Sequence, residues 1–330
     1  MLTLRQWVLG SRPKTLLVGI SGVLVGTFSA VYAATDSDVR IEPVSFTVVA
    51  VLCALVAGFL QIAVNFANDY SDGIRGTDSR RAAERVATTD AASGSASLPS
   101  SVETVSGPAR LAASGVSPRA ILAAAGISAG IACVAGLVAV IMTGRYWLIA
   151  LGILCVLAAW FYTGGKHPYG YAGGGEIGVF LFFGIAVVLG TQFALLGVVT
   201  GMGILGGVSQ GCFAVCVMMV NNLRDIETDA LSGKRTMEVK LGWQRSTGLF
   251  FAVSLVGLIA TAIVGLGTVL NGGAGNSFLI AFLIFWFATG FSSLRSWQFA
   301  KFKQFRRALP LASFACLLNA IVFIFVGLFS

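Results

Sequence analysis

The sequence predicts an all-α integral membrane protein, a bundle of nine transmembrane helices that forms a single domain over residues 1–330. Three observations lead to this fold class. Hydrophobic residues make up 56% of the chain and charged residues only 11%, whereas a soluble domain carries about 25% charged residues. The mean hydropathy is +0.87. The uncharged residues also come in runs of about 20, the length that crosses a bilayer as a helix.

Nine such runs are separated by polar segments. The predicted spans cover residues 15–34, 43–68, 120–142, 146–163, 177–197, 202–222, 246–270, 277–291 and 309–328. The polar segment between the second and third spans is long, and residues 87–106 within it are small and polar. We expect this stretch to be a flexible cytoplasmic insertion, because it can bury little apolar surface.

The basic residues lie almost entirely on one side of the predicted membrane. With the N-terminus in the cytoplasm, every lysine and arginine except Arg40 and Arg145 falls in a cytoplasmic segment. Cytoplasmic loops of membrane proteins carry an excess of Lys and Arg, so we predict a cytoplasmic N-terminus and an outside C-terminus. The same bias accounts for the net charge of +8, which therefore indicates no nucleic-acid partner.

Two polar motifs each end a predicted span on the cytoplasmic side. At roughly 100° per residue, the amide and carboxylate side chains of each motif share one face of a helix. These side chains are Asn65, Asn68, Asp69 and Asp72 in the first motif, and Asn221, Asn222, Asp225 and Asp229 in the second. Gathered carboxylates repel one another unless a cation neutralises them, and oxygen ligands favour Mg²⁺ or Ca²⁺ over Zn²⁺. The alternative is two ordinary polar loops, which the matching geometry disfavours.

Basic residues near both motifs are candidates for binding a diphosphate. Mg²⁺ commonly binds together with phosphate, and the remaining phosphate oxygens need cationic partners. The candidates are Lys14, Arg75, Lys166, Arg224 and Lys234. Each could instead be an anchor of the positive-inside type. Lys166 is the strongest candidate, because it is the only lysine or arginine in a loop rich in glycine and tyrosine.

A diphosphate at the rim of an apolar bundle suits a polyprenyl diphosphate, whose tail would lie among the helices. Mg²⁺ and cations would stabilise the departing diphosphate, and tyrosine ring faces, such as that of Tyr162, could shield the allyl cation. The tyrosines could equally belong to the interfacial aromatic belt. The sequence has no G-x-x-x-x-G-K-[ST] motif, so ATP is not implied.

The motifs resemble those of the UbiA superfamily of membrane prenyltransferases. Asn68-Asp69-x-x-Asp72 is similar to its first aspartate motif, Asp225-x-x-x-Asp229 to its second, and Tyr162-x-x-x-Lys166 to its characteristic loop. Within the superfamily the resemblance is greatest to the 1,4-dihydroxy-2-naphthoate polyprenyltransferases of menaquinone synthesis. That likeness rests on Arg12-Pro13-Lys14-Thr15, Pro168-Tyr169-Gly170-Tyr171 and Gly233-Lys234-Arg235-Thr236.

The resemblance implies an activity and a location. The activity is Mg²⁺-dependent transfer of a polyprenyl group from polyprenyl diphosphate to 1,4-dihydroxy-2-naphthoate, at the carbon that bears the carboxylate. Loss of CO₂ then gives demethylmenaquinone. The location is the bacterial cytoplasmic membrane, where a multi-pass protein in contact with lipid would turn its active site to the cytoplasm.

The resemblance also implies roles for individual residues. The implied metal ligands are Asn68, Asp69, Asp72, Asp225 and Asp229. The implied catalytic residues are Asp72, Asp225, Lys166 and Tyr162. The implied substrate-binding residues are Lys14, Arg75, Asp78, Lys166, Asn222, Arg224 and Lys234.

Two other functions stay open at this point. A sibling enzyme would prenylate a different aromatic acceptor, such as 4-hydroxybenzoate or homogentisate. A transporter of an amphiphile is the alternative from another class, and the lack of acidic residues in the middle of the predicted spans disfavours it.

The insertion at residues 87–106 departs from the family pattern, in which Arg85-Val86 would run directly into Gly107-Pro108.

Overall fold

The structure is a computed structural model that describes residues 2–74, 111, 115–271 and 275–329, and these residues form helices and turns without a strand. In chain order the helices are α1 (Leu4–Ser11), α2 (Pro13–Asp36), α3 (Pro43–Ile74), α4 (Pro118–Thr143), α5 (Leu148–Thr163), α6 (Gly175–Leu196), α7 (Gly201–Arg224), α8 (Ile226–Leu231), α9 (Met237–Leu270), α10 (Asn276–Lys301) and α11 (Phe305–Phe329). A 3₁₀ turn, Tyr169–Tyr171, lies between α5 and α6. The predicted insertion at residues 87–106 lies outside the described residues.

The helices confirm an all-α integral membrane protein. Eight of them, α2, α3, α4, α6, α7, α9, α10 and α11, are long and apolar enough to cross a membrane. The predicted fourth span is α5, which is apolar but has only 16 residues, about 24 Å of helix against a hydrocarbon core of about 30 Å. The count of nine spans and the orientation of the termini therefore stay predictions.

The outward faces of the spans are apolar, as a bilayer requires. On α4, for example, Ile127, Val134 and Ile141 are all exposed. A soluble protein rarely exposes a continuous apolar surface of this kind. In the membrane these side chains are expected to face lipid tails.

Helix α7 is the most buried of the candidate spans and packs against α2, α6, α9 and α11. Glycine allows the backbones of α6 and α7 to touch, since a Cβ atom added to Gly184 would lie 2.4 Å from the Cα atom of Gly211. Close backbone packing of this kind drives helix association in bilayers. The hydrogen bonding of α6 is π-helical over Phe180–Ala186, which contains this crossing.

A cluster of uncharged polar side chains joins four spans in the core. Asn319 of α11 donates through Nδ2 to Ser209 Oγ and to Gln210 Oε1, both at 3.2 Å. Thr261 of α9 donates to Asn319 Oδ1 at 2.7 Å. Gln210 of α7 in turn donates to the carbonyl oxygen of Val18 on α2 at 3.4 Å. Interhelical hydrogen bonds of amides and hydroxyls stabilise membrane bundles without burying a charge.

The ends of several helices converge at one end of the bundle, which we call the motif end because both Asn/Asp motifs lie there. Ser71 Oγ of α3 donates to the carbonyl oxygen of Thr163 on α5 at 2.8 Å. Asn222 of α7 reaches Glu176 of α6, and Lys303, between α10 and α11, lies 3.7 Å from Glu227 of α8. The fold therefore brings segments that are distant in sequence to one polar surface.

Replacing Asn319 by alanine should lower the stability of the folded bundle by about 1–2 kcal/mol. The substitution leaves the buried groups of Ser209, Gln210 and Thr261 without their shared partner. Thermal unfolding of the purified protein in detergent measures the change, with Asn276→Ala at the exposed start of α10 as the control. Equal midpoints for the two variants would contradict a stabilising role for this cluster.

Candidate active site

A cavity of about 2270 Å³ joins the motif end to the apolar interior between α3, α4, α5 and α6. Both Asn/Asp motifs line its polar end. On α5 its lining runs from Leu148 in the first turn to Tyr162 in the last, about 20 Å along the helix axis. A cavity with a polar head and a long apolar body matches the shape and polarity of an amphiphile.

The first motif, at the end of α3, contacts the junction between α1 and α2. Asn65 donates through Nδ2 to the carbonyl oxygen of Ser11 at 3.0 Å, and the carboxylate of Asp69 forms an ion pair with the guanidinium of Arg12. Arg12 has a positive φ of 52°, so the contact with Asp69 helps to hold a left-handed backbone that ends α1. Asn68 lines the cavity beside them.

Asp72, the last carboxylate of the first motif, is the centre of a buried polar cluster. The hydroxyl of Tyr171 donates to Asp72 Oδ1, and the ammonium of Lys234 lies 2.7 Å from the same oxygen. The Lys234 Nζ atom is also 3.9 Å from Asp229 Oδ1 and 4.4 Å from the centroid of the Tyr171 ring. One ammonium group thus joins the carboxylates of both motifs.

The second motif keeps one helical face although α7 ends inside it. The backbone N–H of Asp225 donates to the carbonyl oxygen of Asn221 at 3.1 Å, and that of Asp229 to Asp225 at 2.8 Å. The guanidinium of Arg224 donates twice to the Asp225 carboxylate, at 2.8 and 3.0 Å. Bidentate pairs of this kind are among the stronger charge-assisted contacts.

The last turn of α5 and the loop that follows it place Tyr162 and Tyr169 at the cavity. The rings of Tyr162 and Tyr169 meet edge to face at 5.5 Å between centroids, and both line the cavity. Burial raises the pKa of Tyr169 to about 12, so its hydroxyl stays protonated at neutral pH. Gly170 allows the loop to pack on α5, because a Cβ atom there would lie 2.6 Å from the carbonyl oxygen of Tyr162.

The structure brings most of the predicted site residues together. Those that line the cavity are Asn68, Asp69, Asp72, Tyr162, Asn222, Arg224, Asp225, Asp229 and Lys234. Lys166 is exposed and is not among the lining residues, so its contact with diphosphate stays a prediction. The side chain of Lys14 and the whole of Arg75 and Asp78 lie outside the described part of the chain.

Sequence reasoning missed three contacts of the site. It gave no separate role to Arg12, which forms an ion pair with Asp69, or to Tyr171, which donates a hydrogen bond to Asp72. It also overlooked Glu238, which is fully buried at the start of α9. A break from helical geometry at Gly242 (φ 75°, ψ 170°) separates Glu238 from the apolar part of α9, so the residue falls in a charged segment of the sequence and no local pattern singled it out.

The donor atoms of the two motifs fit a hard divalent cation. Within the described residues no three His, Cys, Asp or Glu side chains come close enough to hold a metal ion together. The ammonium of Lys234 nevertheless lies between the carboxylates of Asp72 and Asp229, so a positive charge already occupies the space between the motifs. Carboxylate and amide oxygens are the ligands that Mg²⁺ and Ca²⁺ prefer.

Comparison with known proteins gives the family. A model of the UbiA prenyltransferase family matches residues 23–315. A Mycobacterium tuberculosis protein named 1,4-dihydroxy-2-naphthoate octaprenyltransferase is 39% identical over 269 residues, covering 81% of this chain and 80% of its own length. An Escherichia coli protein of the same name is 32% identical over 244 residues, covering 72% and 69%. The solved apo structure of a UbiA homolog from Aeropyrum pernix K1 shares the fold, with a TM-score of 0.54 at 15% identity over 99% of this chain and 97% of that one.

The helical membrane bundle, the paired aspartate motifs and the amphiphilic cavity define the class of membrane prenyltransferases. The chain belongs to the UbiA prenyltransferase family. Enzymes of this family generally depend on a divalent metal. The oxygen-rich donor set at the motif end is consistent with that dependence.

Replacing Lys234 by alanine should lower kcat/KM for a prenyl diphosphate by about 10²-fold or more. Lys234 is buried beside Asp72, so its loss removes a fixed positive charge where the leaving diphosphate is expected. Steady-state kinetics in detergent with metal present measures the effect. Lys240→Ala, which changes an exposed lysine outside the cavity lining, is the control, and equal losses in the two variants would contradict the assignment.

Proposed function

We propose that this protein transfers a polyprenyl group from polyprenyl diphosphate to 1,4-dihydroxy-2-naphthoate, with Mg²⁺ as the metal and with loss of CO₂. The observation that carries the proposal is Lys234, which joins the two aspartate motifs at the polar end of a long apolar cavity. The names of the relatives at 39% and 32% identity support the choice of acceptor.

The polar end of the cavity would hold the metal and the diphosphate. Asn68, Asp69, Asp72, Asp225 and Asp229 are the proposed metal ligands, and bound Mg²⁺ would stabilise the negative charge of the departing diphosphate. The basic residues at the described site, Arg12, Arg224 and Lys234, can donate charge-assisted hydrogen bonds to phosphate oxygens. Lys14, Arg75, Asp78 and Lys166 complete the proposed substrate-binding set.

The apolar body of the cavity would hold the prenyl tail. Its lining on α5 extends over nearly the whole helix, from Leu148 to Tyr162. Burial of each methylene group contributes about 0.8 kcal/mol, so a long tail binds mainly through this surface. The diphosphate then selects the reacting end of the molecule.

The reaction needs heterolysis of the allylic C–O bond, whose electron pair leaves with the diphosphate. The ring faces of Tyr162 and Tyr169 are the proposed shield for the allyl cation, since aromatic faces attract positive charge. The ring carbon that bears the carboxylate forms the new C–C bond. Departure of CO₂ returns an electron pair to the ring, and the product is the reduced form of demethylmenaquinone. Asn222 is proposed to contact the acceptor.

The motif end is proposed to face the cytoplasm of a bacterium. In the predicted topology, every lysine and arginine except Arg40 and Arg145 lies on the same side as the two motifs, and such residues concentrate on the cytoplasmic side. A soluble acceptor made in the cytoplasm could then reach the site without crossing the bilayer.

Purified protein in detergent, given a polyprenyl diphosphate, 1,4-dihydroxy-2-naphthoate and Mg²⁺, should release diphosphate and form a prenylated naphthohydroquinone, which is detected as such or as the quinone that oxygen forms from it. Mass spectrometry follows both products, and an EDTA-treated sample should form neither. Diphosphate release without prenylated naphthoate would contradict the proposed acceptor. The same assay with 4-hydroxybenzoate or homogentisate would then identify the acceptor class.

Asp72→Asn and Asp225→Asn are the matched tests of the metal site in this assay. Each variant keeps the side-chain size and removes one negative charge, so we expect turnover to fall by at least about 10²-fold. The protein should still insert into the membrane and remain monodisperse after purification in detergent. Full activity in both variants would remove these carboxylates from the mechanism.

Replacing Gly152 by phenylalanine should shorten the tail that the enzyme accepts. Gly152 lines the cavity on α5, and a Cβ atom there meets no atom within 4 Å, so the new ring would project into the proposed tail site. We expect the preference for a long over a short prenyl donor, as a ratio of kcat/KM values, to fall at least about tenfold.

The control for this substitution is Gly126→Phe on α4. Gly126 is also exposed with no atom within 4 Å of an added Cβ, but it does not line the cavity. An unchanged donor preference in Gly152→Phe would place the tail elsewhere.

A further inference from the structure

A pair of buried acidic residues lies behind the cavity at the motif end. Glu176 is in the first turn of α6 and is 4% exposed, and Glu238 is in the first turn of α9 and is 0% exposed. Neither is among the residues that line the cavity, whereas Asn222, which lies against Glu176, is. The pair therefore reaches the cavity through Asn222.

The contacts of the pair leave three carboxyl oxygens without a donor. Asn222 donates through Nδ2 to Glu176 Oε1 at 2.7 Å. The Glu238 carboxyl group lies next to that of Glu176 and close to the Asn222 amide. Within the described residues, Glu176 Oε2 and both oxygens of Glu238 are buried and have no hydrogen-bond donor. Buried polar atoms are seldom left in this condition, so each requires an explanation.

One shared proton accounts for two of these three oxygens, because one Glu238 oxygen becomes a donor and Glu176 Oε2 accepts from it. Two adjacent carboxylates in a buried site repel each other strongly, and such pairs usually hold a proton between them. A proton on Glu238 gives Glu176 Oε2 a donor and removes one buried charge. With that proton on Glu238, both oxygens of Glu176 act as hydrogen-bond acceptors.

An acceptor-only Glu176 decides which way the amide of Asn222 is turned. The amide has one donor end and one acceptor end, which diverge from the same carbon atom. Because the nitrogen is held by Glu176, the carbonyl oxygen is left for the cavity. That oxygen can accept a hydrogen bond from an O–H group in the cavity, either a hydroxyl of the aromatic acceptor or a water molecule bound to the metal.

We propose that Glu176 and Glu238, sharing one proton, are positioning residues that hold the Asn222 amide with its carbonyl oxygen toward the cavity, where it accepts a hydrogen bond from a hydroxyl group of the aromatic acceptor. The inference rests on the proposed function, because it requires a hydroxylated acceptor. It extends that function by naming the group that orients the acceptor and the two carboxyl groups behind it.

Kinetics of isosteric variants test the positioning role. Glu238→Gln keeps a neutral donor beside Glu176, so it should raise the KM for 1,4-dihydroxy-2-naphthoate far less than Glu176→Gln does. Glu176→Gln offers Asn222 a donor and an acceptor alike, so the amide orientation is lost. The KM for 1,4-dihydroxy-2-naphthoate should then rise at least about tenfold, while the KM for the prenyl donor and for Mg²⁺ stays unchanged. A rise confined to the KM for Mg²⁺ would instead mean that the Asn222 carbonyl oxygen bonds to a metal-bound water molecule. That result would overturn the proposed contact with the aromatic substrate.

A double variant separates positioning from a general structural effect. In Glu176→Gln with Asn222→Asp, the glutamine amide can donate to the new carboxylate, whose second oxygen again faces the cavity. We expect the KM for the acceptor to recover toward the wild-type value, although Asn222→Asp alone should be at least as impaired as Glu176→Gln. Failure of this rescue in folded protein would overturn the proposal.

Infrared spectroscopy tests the shared proton without using activity. The wild-type protein at neutral pH should show the carbonyl band of a protonated carboxyl group, and Glu238→Gln should lose it. Glu42→Gln, an exposed site at the start of α3, should keep the band. Absence of the band in the wild type would overturn the shared proton. If the wild type prenylates no dihydroxynaphthoate, the proposed function fails, and the infrared result still decides the state of the carboxyl pair.

Discussion

The ion pairs of Lys234 with Asp72 and Asp229 are the interaction on which the motif end depends. Moving a carboxylate out of water costs several kcal/mol, even after the protein relaxes. Asp72 is 0% exposed and Asp229 is 3% exposed, so neither can be held as an anion without a nearby cation. Lys234 supplies this cation to both carboxylates from the loop between α8 and α9. A metal ion bound at the proposed ligands would bring its own positive charge to these carboxylates, and Lys234 could then pair with phosphate.

The spans around the cavity differ in how closely they pack against one another. The polar cluster around Asn319 and the glycine contact between α6 and α7 fix the relative positions of the central spans. Helix α5 is shorter and lines the cavity along most of its length. The closely packed spans thus carry the second motif, and α5 forms part of the wall of the proposed tail site.

Local pattern was enough to predict the spans and the two polar faces, because helical periodicity is a property of neighbouring residues. The partners of those faces could not be predicted in this way. Lys234 meets Asp72 because the loop between α8 and α9 reaches the end of α3, and Arg12 meets Asp69 because α1 packs against α3. The same limit led sequence reasoning to prefer Lys166, since its isolation in a loop gave no information about which way the loop turns. In the structure that lysine is exposed, while Lys234 is buried at the cavity.

The polar groups of the bundle follow two different rules according to depth. Where the spans cross, the amide of Asn319 bonds to hydroxyl and amide groups and no charge is needed. At the motif end, carboxylates are either matched by a cation, as at Asp72, or paired with each other, as at Glu176 and Glu238. A cation matched to a carboxylate at the cavity could be exchanged for a metal ion. The carboxyl pair of Glu176 and Glu238 does not line the cavity, so a metal ion could reach it only if the helix ends opened. The first arrangement suits binding and release in each turnover, and the second suits a group such as Asn222 that must keep one orientation throughout.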